Sequence, residues 1–272
     1  MKFFKNKYAL ITGGSGLLGP YHAEALAEDN FNIILVDINL NKLSRIKKKL
    51  SKKFKKIKFL TYYCDIRFTK NVEDLYRKIL KKGIFVSCLI NNAERNPQMK
   101  ETKIKKVLNK VEDYNEKKIF DEIEVGIMGT FNCCKVFGNQ MSKKKFGSII
   151  NISSDLGITA PDQRVYDSKE ILTSVKNFKP IGYSISKHAI GGITKYIATY
   201  WAHKNVRCNT LALGAVLNHQ PKYLIKNVKK RIPLNRWAKK NEYKSAIKFL
   251  ANEDNGYMTG QTLIIDGGRT IW

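Results

Sequence analysis

The stretch Tyr8-Ala9-Leu10-Ile11-Thr12-Gly13-Gly14-Ser15-Gly16-Leu17-Leu18-Gly19 decides the fold. A short apolar run ends in a glycine turn, and a helical pattern follows it. Strand, glycine turn and helix in that order open a βαβ unit. Glycines at 13, 16 and 19 permit a tight turn, close approach of backbone to a pyrophosphate, and close helix–strand packing. The helix start adds free N–H groups and a positive dipole end for the anion. Ser15, Leu17 and Leu18 share the turn and join the three glycines as candidate cofactor contacts.

Outward from this turn, strand-like runs recur at Asn32–Val36, Ile57–Tyr63, Val86–Ile90, Ser148–Ile152, Val206–Leu213 and Thr262–Asp266. Amphipathic segments separate them. Apolar strands spaced by helices predict a parallel sheet covered on both faces. The pattern implies one doubly wound α/β domain of the Rossmann type over residues 1–272, with about seven strands. Two segments exceed that plan. Residues 100–118 are highly charged and are expected to extend the helix after the fourth strand. Residues 158–180 lie between a strand end and the helix starting near Tyr183, and are expected to line the substrate entrance.

Composition bounds the rest. The 272 residues are 43% hydrophobic and 27% charged, which supplies a buried core and argues against wholesale disorder. No run approaches the ~20 apolar residues of a membrane-spanning helix. The start is basic, but its apolar run is short for a secretory signal. A soluble, cytoplasmic protein without membrane attachment is the expectation. Lys and Arg number 50 against 23 Asp and Glu, a net charge of +27. The densest run, Lys42 to Lys58, lacks interleaved aromatics and reads as a solvated helix face, so nucleic acid is not the expected partner. The five cysteines, Cys64, Cys88, Cys133, Cys134 and Cys208, have neither CxxC spacing nor nearby histidines. Reduced, buried thiols fit better than disulfides or a metal site.

Asp37 ends the second strand, 18 residues beyond Gly19. A carboxylate there accepts hydrogen bonds from adenosine ribose hydroxyls and repels a 2′-phosphate, which favours NAD over NADP. Ser153-Ser154 ends the fifth strand, and Tyr183-Ser184-Ile185-Ser186-Lys187 opens the next long helix. Tyr and Lys at i and i+4 share one helix face. An ammonium beside a phenol favours the phenolate, which predicts a lowered pKa for Tyr183. Such a Tyr passes a proton to or from an alcohol or carbonyl oxygen while a Ser hydroxyl holds that oxygen.

With these motifs in place, the chain resembles the short-chain dehydrogenase/reductase family along nearly its whole length. Asn91-Asn92-Ala93 matches the family's NNAG segment, although Glu94 replaces the glycine. Asp65, followed by Ile66, matches the acidic position that faces the adenine. Val206-Arg207-Cys208-Asn209 and Tyr257-Met258-Thr259-Gly260-Gln261 with Asp266-Gly267-Gly268 match its sixth- and seventh-strand signatures. The resemblance implies Ser154 as the substrate-oxygen donor, Tyr183 as the acid/base, and Lys187 as tuner of Tyr183 and nicotinamide-ribose ligand. It implies cofactor contacts at Asp65, Ile66, Asn91, Ala93 and Tyr183 also, and at Gly214 and Val216 beside the nicotinamide. Leu213 stands where the family usually has proline, and Gly126 where it usually has the Asn that helps hold a relay water. Ser154 and Tyr183 are 29 residues apart, well beyond the usual dozen or so.

The long insertion, with Thr199-Tyr200-Trp201-Ala202 and the closing Gly-Gly-Arg-Thr-Ile-Trp, is similar to bacterial flagellin-modification oxidoreductases linked to nonulosonic acids and surface glycans. That resemblance implies an anionic substrate, a sugar phosphate or nucleotide sugar, with Arg164, Lys169, Lys179 or His219 as candidate contacts. Two other readings stand beside it. One is an NADPH-dependent 3-oxoacyl-carrier-protein reductase that docks an acidic carrier on the basic surface. The other is a catalytically impaired nucleotide-binding protein with an anionic macromolecular partner. Broad apolar faces carrying Phe131, Val136, Ile190, Ile193, Ile197 and Tyr200 predict a homodimer or homotetramer.

Overall fold

Along the first strand, Leu10 and Ile11 point to opposite faces, and Ile34 and Leu35 repeat the alternation on the second. All four are fully buried, Leu10 and Ile34 in one core and Ile11 and Leu35 in the other. A sheet buried on both faces needs continuous apolar strands and helices above and below. The computed structural model, which describes residues 7–95, 109–166 and 178–272, has this arrangement. Seven parallel strands run in the order β3-β2-β1-β4-β5-β6-β7. They are β1 (Tyr8–Thr12), β2 (Asn32–Asp37), β3 (Phe59–Tyr63), β4 (Val86–Asn91), β5 (Gly147–Ser154), β6 (Val206–Leu213) and β7 (Thr262–Ile265). Each expected strand is present with its ends shifted by two residues at most.

One core lies beneath α1 (Gly19–Glu28), α2 (Leu40–Lys53) and α9 (Lys244–Ala251), where Leu26, Leu43, Ile247 and Leu250 meet Ile11, Ile33 and Leu35. The other lies beneath α3 (Thr69–Leu80), α5 (Gly129–Cys133), α6 (Asn139–Lys143) and α7 (Ile181–Trp201), around Phe137, Met141 and Ile197. On α2 only Leu43 and Leu50, seven residues apart, are buried. The lysines of the Lys42–Lys58 run face solvent, with Lys47 half-buried. All five cysteines are free and buried, and burial pushes the Cys88 and Cys134 thiols up to about 12.

Two expectations need correction. The helix after β4 does not extend through 100–118. Residues 96–108 lie outside the described set, 109–115 are non-helical, and α4 (Glu116–Ile123) begins where the Asn115 side chain accepts the Lys117 N–H. Beyond α4, wide π turns at Glu124–Met128 and Cys134–Gly138 alternate with α5 and α6. The second long segment has one 3₁₀ turn, Gln163–Tyr166, and 167–177 lie outside the described residues. Of the apolar residues expected on a docking face, Ile190 and Ile197 are core, and Val136 and Ile193 pack against it. Phe131 and Tyr200 are the ones left exposed, and Phe120 and Tyr196, which were not expected there, are exposed as well. No helix among the described residues is long and apolar enough to cross a membrane.

Candidate active site

The strand order reverses between β1 and β4, so the loops leaving those two strands part and open a crevice at their carboxyl ends. The glycine turn forms one wall. Gly13 has φ +60°, and a Cβ there would stand 2.7 Å from Ala93 Cα, so only glycine lets the turn and the β4 loop touch. Asn92 locks the contact, donating its side-chain amide to Thr12 O and Gly13 O at 3.0 Å each. The Thr12 hydroxyl in turn accepts the Asn92 and Ala93 N–H groups. No side chain caps α1, which leaves its first turn available to an anion.

Asp37 sits at the crevice edge, accepting the Ser15 N–H at 2.9 Å and the Asn39 N–H at 3.0 Å. Gly16 and Leu17 are exposed, whereas the Leu18 side chain belongs to the core, so only backbone of Leu18 serves the turn. The Asn91 side chain points inward and donates to Asn151 Oδ1 at 2.8 Å, part of a buried polar line running on to Thr194 and Thr210. Asp65 is gripped by Arg67, whose guanidinium holds the carboxyl below the usual carboxylate range, and Ile66 is core. Gly214, at the end of β6, donates its N–H to Ile265 O, and Val216 bridges to Ala238. The glycine cradle, the uncapped helix and the anchored carboxylate fit a dinucleotide. Asp37 would hold the adenosine ribose and the glycine turn the pyrophosphate.

On the other side of β4, the fold brings Ser154, Tyr183 and Lys187 together. Tyr183 is buried and hydrogen-bonded to Ser154. Lys187 Nζ donates to Ile152 O at 3.0 Å and lies 5.7 Å from the Tyr183 ring centre. Ser154 donates to Asp155 Oδ1 at 2.7 Å, and Asp155 Oδ2 meets Arg269 at 2.6 Å in a buried ion pair. Arg269 reaches this far because Asp266 accepts the Gly268 and Thr270 N–H groups and turns the C-terminal segment back. The Ser154 proton therefore faces Asp155, and an incoming oxygen would exchange one acceptor for another.

Tyr183 departs from the expectation of a lowered pKa. Burial raises it above the ordinary tyrosine range, helped by Glu94, Asp155 and Tyr166, and the Ser154 hydrogen bond opposes the rise only in part. The missing influence is that of Lys187, whose ammonium is paired with Glu94 at 2.7 Å. Lys179 supplies a second cation, with Nζ 3.9 Å from the Tyr183 ring centre. Although part of Lys179 reaches solvent, the packing around its ammonium brings it down to about 8.

Among the candidate anion contacts, Lys179 is beside Tyr183. The Arg164 guanidinium is bound to Asp162 by two hydrogen bonds, His219 is exposed on the loop after β6, and Lys169 lies outside the described residues. A cavity of about 450 Å³ between Lys179, Ser184, Gln163 and Tyr114 opens at the start of α7. No cluster of metal-ligating residues is present among the described residues. Sequence reasoning missed Thr12, Asn92, Asp155 and Arg269, whose roles come from contacts across the sheet rather than from a local pattern.

A glycine-lined crevice at the switch point beside a Ser–Tyr–Lys constellation defines a nucleotide-dependent oxidoreductase. Residues 18–270 match the family model described as enoyl-(acyl carrier protein) reductase, and the chain belongs to this short-chain dehydrogenase/reductase family. It is an enzyme of the NAD(P)-dependent kind. The chain is 27% identical to 7alpha-hydroxysteroid dehydrogenase of Bacteroides fragilis, over 100% of this chain and 97% of that protein. It is 24% identical to post-translational flagellin modification protein A of Campylobacter coli, over 97% and 98%. The solved structure of NAD+-bound xylitol dehydrogenase superposes with a TM-score of 0.83 at 23% identity, covering 98% of this chain and all of that one.

Proposed function

We propose that the chain is an NAD-dependent oxidoreductase acting at a hydroxyl or keto carbon of an anionic sugar, a sugar phosphate or nucleotide sugar, in surface-glycan or flagellin-glycan synthesis. The observation that carries the chemistry is Tyr183 hydrogen-bonded to Ser154, with Lys187 one helical turn on. NAD supplies a hydride acceptor, or in its reduced form a hydride donor, when bound. Ser154 holds the substrate oxygen, and Tyr183 Oη gives or takes its proton. Lys187 sets the charge beside that phenol and is in place to hold the nicotinamide ribose. Buried walls exclude water from the transfer.

Asp37 supports NAD over NADP, because a 2′-phosphate would meet a carboxylate fixed by two N–H groups. Full-length similarity to a post-translational flagellin modification protein supports the flagellin-modification setting. Lys179 supports an anionic substrate. A cytoplasmic homodimer or homotetramer, joined through the exposed Phe120, Phe131, Tyr196 and Tyr200, completes the reading. The +27 charge favours one second reading, reduction of a 3-oxoacyl group on an acidic carrier protein, which an NADPH preference would bring forward. Titration with NADH and NADPH, followed by energy transfer from Trp201, Trp237 and Trp272, separates the two. Tighter NADH binding with turnover of a sugar phosphate or nucleotide sugar is the expected result. Tighter NADPH binding with turnover of a 3-oxoacyl thioester overturns it.

A further inference from the structure

Glu94 follows the β4 loop with its side chain 9% exposed, and its carboxylate lies 2.7 Å from Lys187 Nζ. It also accepts the Ser186 hydroxyl at 3.1 Å. Facing it is Gly126, inside the π turn Glu124–Met128. A Cβ at 126 would stand 1.9 Å from Ser186 Oγ and 2.8 Å from each Glu94 carboxylate oxygen. No side chain fits at 126 while Glu94 and Ser186 hold these positions. The two departures seen in the sequence, Glu94 and Gly126, are thus one packing solution: the carboxylate occupies the space the glycine leaves. π turns within α-helices often mark functional sites, and this one carries the glycine that admits Glu94.

We propose that Glu94 is a positioning residue of the active site, clamping Lys187 in a buried ion pair so that its charge is shared with a carboxylate rather than given to Tyr183, which sets the enzyme for carbonyl reduction. This rests on the oxidoreductase reading above. In that direction the carbonyl carbon gains a hydride from the reduced nicotinamide. The C=O π pair moves to oxygen and takes the Tyr183 proton, and the phenolate left behind is reprotonated from water. A neutral phenol is the competent form for reduction, whereas alcohol oxidation needs the phenolate.

All but one of the groups named around Tyr183 act in the same direction. Its burial, Glu94, Asp155 and Tyr166 all disfavour the phenolate, and Ser154 favours it. Lys187 is matched by Glu94. Lys179 is the remaining cation at the ring, and it loses its charge above about 8, where a phenolate would most need it. Glu122, also buried nearby, adds no cation.

The test is the titration of Tyr183 itself in protein carrying ¹³C at the tyrosine Cζ, its signal assigned by Tyr183→Phe. In the wild type the signal is expected to keep its phenol position through pH 10. In Glu94→Gln the phenolate signal is expected to emerge at least about one pH unit lower, a tenfold change in ionisation. The ratio of reduction to oxidation rate at pH 7 falls with it. The double variant Glu94→Gly/Gly126→Asn returns a neutral side chain to the same space from the opposite wall, and is expected to titrate like Glu94→Gln. Identical titrations in wild type and both variants, or a wild-type Tyr183 that ionises near neutrality, would overturn the proposal. Turnover surviving Tyr183→Phe would instead remove the oxidoreductase reading of this site. Loss of turnover there, with Glu94→Gln titrating as wild type, removes only the role of Glu94.

Discussion

The two walls of the crevice are built on different principles. The β1–β2 wall is made of backbone: a glycine turn, an uncapped helix and one carboxylate fixed by two N–H groups. The β5–α7 wall is made of charges out of water, with Lys187 on Glu94, Arg269 on Asp155, and Lys179 over Tyr183. A backbone wall needs only residues that permit its conformation, so it changes little with its surroundings. In the charged wall each group takes its properties from partners distant in sequence, and changing one alters the rest. The backbone wall is therefore robust to substitution and the charged wall tunable.

The sharpest break in that comparison is at Tyr183. Tyr183→Phe removes the proton donor and is expected to lower kcat by about 10⁴-fold. NADH affinity, which rests mainly on the other wall, should change by less than about tenfold in the same fluorescence titration. An equal loss of both would mean that the walls are not separable.

Arg269→Ala comes next. It leaves Asp155, 4% exposed at its side chain, as a buried charge without its guanidinium. Loss of one partner of such a pair costs about 3–5 kcal/mol, read from the urea midpoint, and kcat falls as Ser154 loses its orientation. An unchanged midpoint would place the charged wall outside the stability of the fold.

The backbone wall has one titratable weak point. His22 on α1 is buried, and burial brings it down to about 4, opposed by a hydrogen bond with Asn92. Its Nε2 has no hydrogen-bond partner. The unfolded chain protonates near 6.5 and the folded one near 4, so the stabilisation is complete above 6.5 and lost as pH falls toward 4. The loss amounts to about 3 kcal/mol, and His22→Gln should flatten that acid limb in urea unfolding measured at several pH values. A limb of equal steepness in the variant would assign it to other groups.

The smallest effect expected is at Asp37. Asp37→Ser keeps a short acceptor for the Ser15 N–H and removes the negative charge, which should shift the NADPH-to-NADH affinity ratio by about tenfold toward NADPH. A ratio unmoved would show that Asp37 serves the turn and not the choice of cofactor.

Much of this was legible in the chain itself. Leu10, Ile11, Ile34 and Leu35 announce a sheet buried on both faces, because an apolar strand without polar alternation has nowhere else to go. Gly13 and Gly19 announce the turn, because local backbone geometry depends on the residue that adopts it. Ser154, Tyr183 and Lys187 were readable through the resemblance and through helical spacing. The lowered Tyr183 pKa was misread because spacing reveals the ammonium on the same face but not the carboxylate that neutralises it. The inward turn of the Asn91 side chain was not legible for a similar reason: its partner Asn151 lies 60 residues away.

The sequence by itself determined the seven-strand α/β fold and singled out the glycine turn and the Ser154, Tyr183 and Lys187 that the fold brings together. These follow from periodicity, glycine conformation and residue chemistry, all of which act over a few residues. Only the tertiary structure decided that Glu94 fills the space left at Gly126, that Arg269 returns to Asp155, and that Tyr183 stays a phenol. Those depend on which charges share a water-poor space, and in that space a neighbour at 3 Å outweighs any local pattern.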